Sequence, residues 1–550
     1  MSFLNFEKSS PFKKGDFSFR WIRKNNFYGF NENDEIKTIL SNLPLNKSDM
    51  NKRKLFYDKF CLKIDKYKDQ PHLIDPFLPE IIETLVNFLK KEIQLNEPSK
   101  LITDESSKYI CHLVKIKGFK YIVQYLPHDI TEFEQVLKLL QNNRDTNSWQ
   151  TTFILLLWLS NICILPLDQN HHESSLESQI NKVSENLLKS TIACLFTSDK
   201  CQDACAFLLA KFMSRRDLQT KVLPSSFDEL ISYMKDAKKS GDNIKLLGIL
   251  KCIASIYKYG KREDLLRYTL PTLKNIVELD LLNSNMALVR KYYIKIIQRV
   301  GTTFFKVKIA KWRYERGSRS LMNNVKSETQ NLNNVKKLEN EEEDNEDEVP
   351  SEIEEIIEQL LSGLKDKDTI VRWSSAKGIG RITNRLSQDM ADDILQSLLD
   401  LFTFVEDDSA WHGGCLAIAE LGRRGLLLPK QLKAVVPIIL RALVFDKKLG
   451  NYSLGRNVRD AACYVCWSFA RAFDPDVIKP YVNQLAGALL IVSVFDREVN
   501  CRRAASAAFQ ENVGRQGQFP HGIDILTKCD YYAVGQIQNC FLDLAIYIAG

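Results

Sequence analysis

The sequence predicts an all-α fold of the HEAT/armadillo type, an α-solenoid superhelix of stacked helical hairpins. Steps of 40, 47 and 43 residues separate Arg372, His412, Arg459 and Arg502, which matches the ~40–47 residue period of such repeats. Small residues follow each of these positions, and bulkier apolar residues come next. Small side chains let helix backbones approach, and bulky ones fill the layer between hairpins. Gly and Pro number only 23 and 16 among 550 residues, which also favours helices.

Acidic residues precede two of these repeat starts at the same distance. Asp366 lies six residues before Arg372, and Asp496 lies six before Arg502. An acid at this place can cap the second helix of a hairpin. The arginine can then reach the acid of its own repeat or of a neighbouring one.

Composition places the chain among folded proteins, with 45% hydrophobic and 26% charged residues. Thirteen cysteines without secretory features indicate a reducing compartment and free, buried thiols, including the pairs Cys201/Cys205 and Cys463/Cys466. The first residues do not form a signal peptide. The longest apolar stretch, 153–167, is shorter than the ~20 residues of a membrane span. We therefore expect no membrane span.

The net charge of +7 is unevenly distributed. Residues 1–338 carry 54 bases against 37 acids, a balance of +17, and residues 339–350 carry eight acids and no base. A basic segment favours an acidic partner, which could be nucleic acid, anionic lipid or an acidic protein. The alternative is a set of solvated lysines on the outer faces of helices.

Pattern and composition divide the chain into four segments. Residues 1–50 are predicted to be a partly ordered arm, and residues 51–321 are N-terminal helical repeats. Residues 322–350 are predicted to be a disordered acidic insertion, because they contain too little apolar surface to offset chain entropy. Residues 351–550 are HEAT/armadillo repeats, and Trp467 and Phe469 are predicted to be buried between them.

No catalytic constellation is visible. The seven histidines form neither a His-Glu-x-x-His pattern nor a recognisable Ser-His-Asp motif. Gly378-Ile379-Gly380 lacks the third glycine and the preceding strand of a dinucleotide site, and no phosphate loop is present. We expect a non-catalytic scaffold without cofactor or metal.

Three features are candidates for contact with a partner. Trp411 and His412 precede Gly413-Gly414, and two glycines near a helix start cost ~1 kcal/mol each. That cost suggests close approach by another backbone or by a partner. The second feature is a loop with Arg423 and Arg424, whose guanidinium groups suit carboxylates.

The third feature is a basic row. Arg372, Lys377, Arg381 and Arg385 follow at steps of five, four and four, so the last three share one helix face. This row could offer a basic stripe to an acidic partner. The alternative is that it pairs with acids of the next helix, Asp389, Asp392 and Asp393, and only holds repeats together.

Several of these runs resemble tubulin-folding cofactor D. The resemblance covers most of residues 50–550 and the N-terminal half of that family. Its motifs include Ala376-Lys377-Gly378-Ile379-Gly380-Arg381, Trp411-His412-Gly413-Gly414-Cys415, Glu420-Leu421-Gly422-Arg423-Arg424-Gly425, Trp312-Arg313-Tyr314, and the runs 70–76, 149–168, 457–467, 500–517 and 519–524.

The resemblance implies a cytoplasmic, tubulin-specific chaperone of the microtubule cytoskeleton. Such a protein captures β-tubulin after the cytosolic chaperonin and assembles with cofactor C and with cofactor E bound to α-tubulin. It also binds a small Arf-like GTPase, and within that complex it stimulates GTP hydrolysis by tubulin. It implies no nucleic-acid partner. The solenoid pattern alone leaves two alternatives open: a transport receptor or phosphatase scaffold, and a nucleic-acid-associated subunit.

Overall fold

The computed structural model describes residues 30, 32–44, 49–95, 98–143, 148–164, 185–215, 218, 222–306, 310–316, 349–403 and 405–549. The chain divides into two compact units, Phe3–Leu265 and Leu266–Gly550. The division falls inside the predicted 51–321 repeats and not at the 322–350 segment. Most of that segment lies outside the described residues, as does most of the predicted 1–50 arm, apart from a helix at 33–41.

The first unit consists of helices that pack as successive hairpins. The second helices of the hairpins (Lys100–Lys117, Trp149–Ile162, Cys201–Met213 and Asn243–Tyr259) stack directly on one another. The helices are α1 Asn33–Ser41, α2 Met50–Asp65, α3 Leu78–Ile93, α4 Lys100–Lys117, α5 Phe119–Ile122, α6 Phe133–Asn142, α7 Trp149–Ile162, α8 185–191, α9 Cys201–Met213, α10 Val222–Ser240 and α11 Asn243–Tyr259.

The second unit continues the same architecture. Its second helices (Ala287–Phe304, Thr369–Thr383, Asp408–Arg423, Arg456–Ala472 and Val499–Gln516) form one continuous stack. The helices are α12 Arg262–Glu278, which begins in the last residues of the first unit, α13 Ala287–Phe304, α14 Glu352–Leu364, α15 Thr369–Thr383, α16 Gln388–Leu399, α17 Asp408–Arg423, α18 Leu432–Leu443, α19 Arg456–Ala472, α20 Pro475–Ile478, α21 Val482–Phe495, α22 Val499–Gln516, α23 Gly522–Lys528, α24 Ile537–Asn539 and α25 Ala545–Ala549.

The all-α HEAT/armadillo class is thus confirmed, with one small departure. Strands β1 Lys447–Leu449 and β2 Tyr452–Leu454 form an antiparallel hairpin between α18 and α19. Its turn contains Gly450, whose φ of +60° suits a residue without Cβ. The prediction of an exclusively helical chain is wrong here. The inserted hairpin also accounts for the longest step in the repeat, from His412 to Arg459.

The predicted core residues are mostly where the pattern placed them. The paired cysteines of α9 and α19 are buried thiols, and Phe469 is fully buried. Trp467 is not fully buried. It is partly exposed and stacks on the buried ring of Tyr464 at 5.7 Å between ring centroids.

One described stretch, Pro475–Phe495, is long and apolar enough to pass a test for a membrane span by length and composition. In the structure it holds α20 and α21, and Leu485 and Leu489 are buried in the hairpin with α22. A core helix of a folded repeat passes the same test. The apolar stretch beginning at Phe153 lies largely in the buried helix α7.

Candidate partner-binding face

Buried arginines at the starts of the second helices link each repeat to the next. Arg290 on α13 donates from Nε to Asp366 Oδ2 at 2.7 Å and from Nη2 to Oδ1 at 3.1 Å. Arg459 on α19 binds Asp496 in the same way, at 2.5 and 3.1 Å. The acid therefore comes from the following repeat. Because the pairs are bidentate and buried, they fix the register between hairpins.

Arg372 occupies the same place on α15, but its partner differs. Its Nε donates to His412 Nδ1 at 2.7 Å, and its Nη1 donates to the carbonyl of Asp366 at 2.6 Å. Arg372 is 2% exposed and His412 is 4% exposed. Burial, and secondly the charge of Arg372, lowers the pKa of His412 to about 3. The imidazole is thus a neutral acceptor.

These contacts correct the interpretation of Arg372 and His412 as surface residues. Both side chains lie in the interior of the second unit. Spacing alone could not separate them from the exposed basic residues that follow on the same helices. Arg372 points into the stack of second helices, where carbonyl and imidazole acceptors surround its guanidinium.

The motif around Trp411 is likewise explained by packing within the chain. Trp411 is 3% exposed, and its Nε1 donates to the carbonyl of Thr403 at 3.0 Å. A Cβ on Gly413 would lie 2.1 Å from the carbonyl oxygen of Leu364. The close approach expected from the two glycines is therefore made by the backbone of the preceding repeat. Trp411 does not line a described surface.

Arg423 and Arg424 share one buried carboxylate. Arg423 Nη2 lies 2.9 Å from Glu420 Oε2, and Arg424 Nη2 lies 3.2 Å from the same oxygen. The side chain of Glu420 is 1% exposed, while the two arginine side chains are 35% and 26% exposed. Two cations on one buried anion leave a net positive charge at the surface of α17.

Beyond Arg372, Lys377 and Arg381 of the basic row are exposed on α15, and Arg385, just after the helix, is half-buried. Lys377 is exposed and lies over the ring of Trp373, with Nζ 5.6 Å from the centroid. Arg381 donates to Gln298 Oε1 at 2.9 Å, and Arg385 donates to the carbonyl of Thr302. Gln298 and Thr302 belong to α13 and are uncharged. Of the acids in the alternative explanation, Asp392 contacts Lys430 Nζ at 3.4 Å and also contacts Gln431.

Aromatic rings join this row to the neighbouring helices. The rings of Trp373 on α15 and Tyr464 on α19 touch at 5.5 Å between centroids, although α17 lies between these helices in the stack. Arg471 lies over Trp467 at 4.6 Å. A Cβ on Gly380 would lie 2.9 Å from Arg424 Nε, so Arg424 lies across α15. We call the surface formed by Lys377, Arg381, Arg423, Arg424 and Arg471 the basic face.

Sequence reasoning missed the aromatic part of this surface. Tyr464 and Trp467 lie at i and i+3 on α19, and that spacing also fits a buried helix face. One sequence signal could have indicated it. Both Trp373–Lys377 and Trp467–Arg471 place a basic residue one helical turn after an aromatic ring.

A Cys-His-Asp arrangement in the first unit also escaped sequence reasoning. Cys61 Sγ lies 3.4 Å from His112 Nδ1, and His112 Nε2 lies 3.1 Å from Asp65 Oδ1. Burial raises the pKa of Cys61 and lowers the pKa of His112. The thiol is therefore protonated, and it is not the thiolate that nucleophilic catalysis requires. Among the described residues, no group of three or more His, Cys, Asp or Glu is placed to hold a metal ion.

Two family descriptions match the chain. "Tubulin-specific chaperone D-like, ARM repeats" matches residues 288–523, and "Tubulin-specific chaperone D-like, ARM repeat" matches residues 64–234. Together they cover more than half of the chain and all of the basic face. The chain belongs to the tubulin-specific chaperone D family. The resemblance seen in the motifs is confirmed.

Two curated members of the family show the extent of the match. Tubulin-specific chaperone D of Dictyostelium discoideum is 32% identical over an alignment 610 positions long, which covers 88% of this chain and 41% of that protein. Tubulin-folding cofactor D of Schizosaccharomyces pombe is 26% identical over 90% of this chain and 43% of its own length. The chain thus spans about two fifths of the length of the relatives it matches.

Solved structures show weaker likeness. Importin beta aligns at 11% identity and a TM-score of 0.47, over 89% of this chain and 55% of that protein. The karyopherin Kap121p bound to RanGTP aligns at 12% identity and a TM-score of 0.43, over 98% and 50% of the two chains.

Proposed function

We propose that this chain is the β-tubulin-capturing part of a tubulin-specific chaperone and that it acts as a scaffold. In this proposal it receives β-tubulin after the cytosolic chaperonin and assembles with cofactor C and with cofactor E bound to α-tubulin. It also binds a small Arf-like GTPase in the cytoplasm. Tubulin hydrolyses GTP in that complex, and this chain contributes as an activator. Family membership supports the role, and the basic face supplies the surface.

The basic face is the single observation that carries the proposal to particular residues. Its cations are exposed or half-exposed on three neighbouring helices. An acidic protein surface is the complement of such a face. Exposed ion pairs contribute only ~0–1 kcal/mol each and are screened by salt. We therefore expect the face to govern the rate of association more than the lifetime of the complex.

The hydrogen bonds of Arg381 and Arg385 shape the experiment. Reversing Lys377, Arg381 and Arg385 together would remove two contacts to α13 along with the charge. Charge reversal at Lys377 and Arg471 keeps the contacts of Arg381 and Arg385 to α13. It does remove the pair of Arg471 with Glu511, at 3.4 Å. The better variant is therefore Lys377→Glu with Arg471→Glu.

We expect this variant to bind β-tubulin up to about tenfold more slowly at low ionic strength, with a smaller difference at high salt. Stopped-flow association and thermal melting are measured on the same sample. The matched control is Lys433→Glu with Lys479→Glu, which reverses two exposed cations away from the basic face. Equal slowing in both variants would contradict the assignment of the face. An unchanged rate in the test variant would do the same.

A further inference from the structure

A short segment crosses the ends of several repeats in the second unit. Residues 310–316, here called the strap, lie along the C-terminal ends of the second helices. The amide of Ala310 donates to the carbonyl of Asn384 at 3.1 Å. The indole of Trp312 donates to the carbonyl of Leu386 at 2.9 Å. Both acceptors immediately follow α15.

The middle of the strap contacts the next two repeats. The amide of Tyr314 donates to the carbonyl of Gly425, just after α17, at 2.8 Å. Gly425 has a φ of +76°, and a Cβ there would lie 2.3 Å from the carbonyl oxygen of Tyr314. The hydroxyl of Tyr314 donates to Asp474 Oδ2 at 2.6 Å, and its ring packs against Phe473 at 5.4 Å. Both of these residues follow α19.

Arg316 reaches the fourth repeat. Its Nη1 donates to the carbonyl of Ala470 at 2.9 Å, and its Nη2 donates to the carbonyl of Arg515 at 3.2 Å. The first carbonyl is in the last turn of α19, and the second is in the last turn of α22. The last carbonyls of a helix have no partner within the helix, and the C-terminal end of its dipole favours a cation. Arg316 supplies both a hydrogen-bond donor and a positive charge at the ends of these two helices.

We infer that these helix ends form a peptide-binding groove for an extended segment of the pattern Trp-x-Tyr-x-Arg. The strap fills the groove in cis and clamps four consecutive repeats at a fixed spacing. In a solenoid each repeat contacts only its neighbours, so spacing errors accumulate along the stack. Four of its seven residues, Ala310, Trp312, Tyr314 and Arg316, donate to carbonyls at or just after the C-terminal ends of α15, α17, α19 and α22. A change in repeat spacing therefore breaks strap contacts.

The side chains recognise different features of the groove. Trp312 and Tyr314 each place a polar tip on an acceptor, and the ring of Tyr314 also packs on Phe473. Arg316 binds carbonyls. Arg316 also lies beside a carboxylate, with its Nε 3.6 Å from Asp474 Oδ1. Its planar fork reaches several acceptors at once, whereas a Lys would offer a single point charge. The groove is thus suited to an aromatic–arginine peptide and is distinct from the basic face.

Hydrogen exchange of the whole chain tests the inference without tubulin. In the native chain, the segment holding Ala310 and Tyr314 is expected to exchange slowly. With Tyr314→Phe and Arg316→Ala together, its exchange should be about ten- to hundredfold faster, the factor expected for loss of hydrogen bonds to charged groups. Exchange should also rise at the C-terminal ends of α15, α17, α19 and α22. The first unit should be unchanged.

The control and the rescue make the test specific. Tyr452→Phe with Arg456→Ala removes the same groups from exposed positions and should change nothing at the helix ends. Adding a free peptide of residues 310–316 to the variant with Tyr314→Phe and Arg316→Ala should again slow hydrogen exchange at the helix ends. A peptide with Trp312, Tyr314 and Arg316 changed to Ala should not. Tyr314→Phe alone is a milder variant that keeps the ring contact with Phe473.

Three outcomes would overturn the inference. Native exchange of the 310–316 amides at the rate of an unstructured peptide would show that the strap is not bound. Faster strap exchange with unchanged helix ends would show that it does not clamp the repeats. Failure of the free peptide to protect the helix ends would show that the groove is not a peptide site.

Discussion

The two units solve the same packing problem with different chemistry. In the second unit, Arg459 crosses to the next repeat and binds Asp496, with both side chains almost fully buried. In the first unit, Gln202 of α9 has the corresponding role. Its Nε2 donates to the carbonyl of Leu195 in its own hairpin at 2.9 Å and to that of Ile244 in the next at 3.0 Å.

This difference shows that the position, and not the charge, is the common requirement. Each link needs a long side chain at the start of a second helix that donates to its own loop and to the next repeat. An amide meets this need without burying a charge. An arginine makes stronger hydrogen bonds, but its positive charge needs a compensating partner wherever it is buried. Arg372 is an intermediate case, because its partner His412 is neutral.

The largest expected effect comes from breaking a charged link. Asp496→Ala leaves the buried guanidinium of Arg459 with only the longer contact of Nη1 to Asp446 Oδ1, at 3.8 Å. The free energy of unfolding should therefore fall by about 3 kcal/mol, the lower end of the cost of breaking a buried pair. Gln202→Ala in the first unit should cost only ~1–3 kcal/mol. Urea denaturation of each variant measures both, and Asp476→Ala, an exposed acid, is the control. Equal losses from Asp496→Ala and Gln202→Ala would break the comparison between units.

Glycine substitutions test what the units share. A Cβ on Gly413 would lie 2.1 Å from the carbonyl of Leu364, and one on Gly248 in the first unit would lie 1.8 Å from that of Leu195. Gly413→Ala and Gly248→Ala should each destabilise the protein by ~1–3 kcal/mol, because helices must separate. Gly487→Ala, where nothing lies within 4 Å, should be neutral or slightly stabilising. If Gly487→Ala lowered the melting temperature as much as the other two substitutions, the close backbone approach at Gly413 and Gly248 would be contradicted.

The third effect appears only in acid. The pKa of His412 is about 3 in the folded protein, against an ordinary value near 6.5. The unfolded chain therefore binds a proton that the folded chain does not, and stability falls as pH drops below 6.5. Between pH 7 and pH 5, protonation of His412 in the unfolded chain should lower the free energy of unfolding by roughly 2 kcal/mol. His412→Asn keeps a neutral acceptor and should remove this part of the pH dependence of urea unfolding. An identical pH profile in the variant would exclude His412 as its source.

The sequence by itself determined the repeat architecture and the family. Helical hairpins repeat because their apolar and small residues recur at a fixed spacing, and Arg372, His412, Arg459 and Arg502 mark that spacing in the chain. The buried thiols follow from the same local pattern.

Tertiary structure decided which of these residues reach the surface. Arg372 and Lys377 lie five positions apart on α15, yet one is buried and the other is exposed, because neighbouring repeats cover only one side of the helix. The prediction that Trp467 is buried was wrong for the same reason. The strap depends on contacts such as that between Arg316 and Arg515, 199 residues apart. Local periodicity carries no information about which distant helix end lies beside a segment, so only the folded chain determines those contacts.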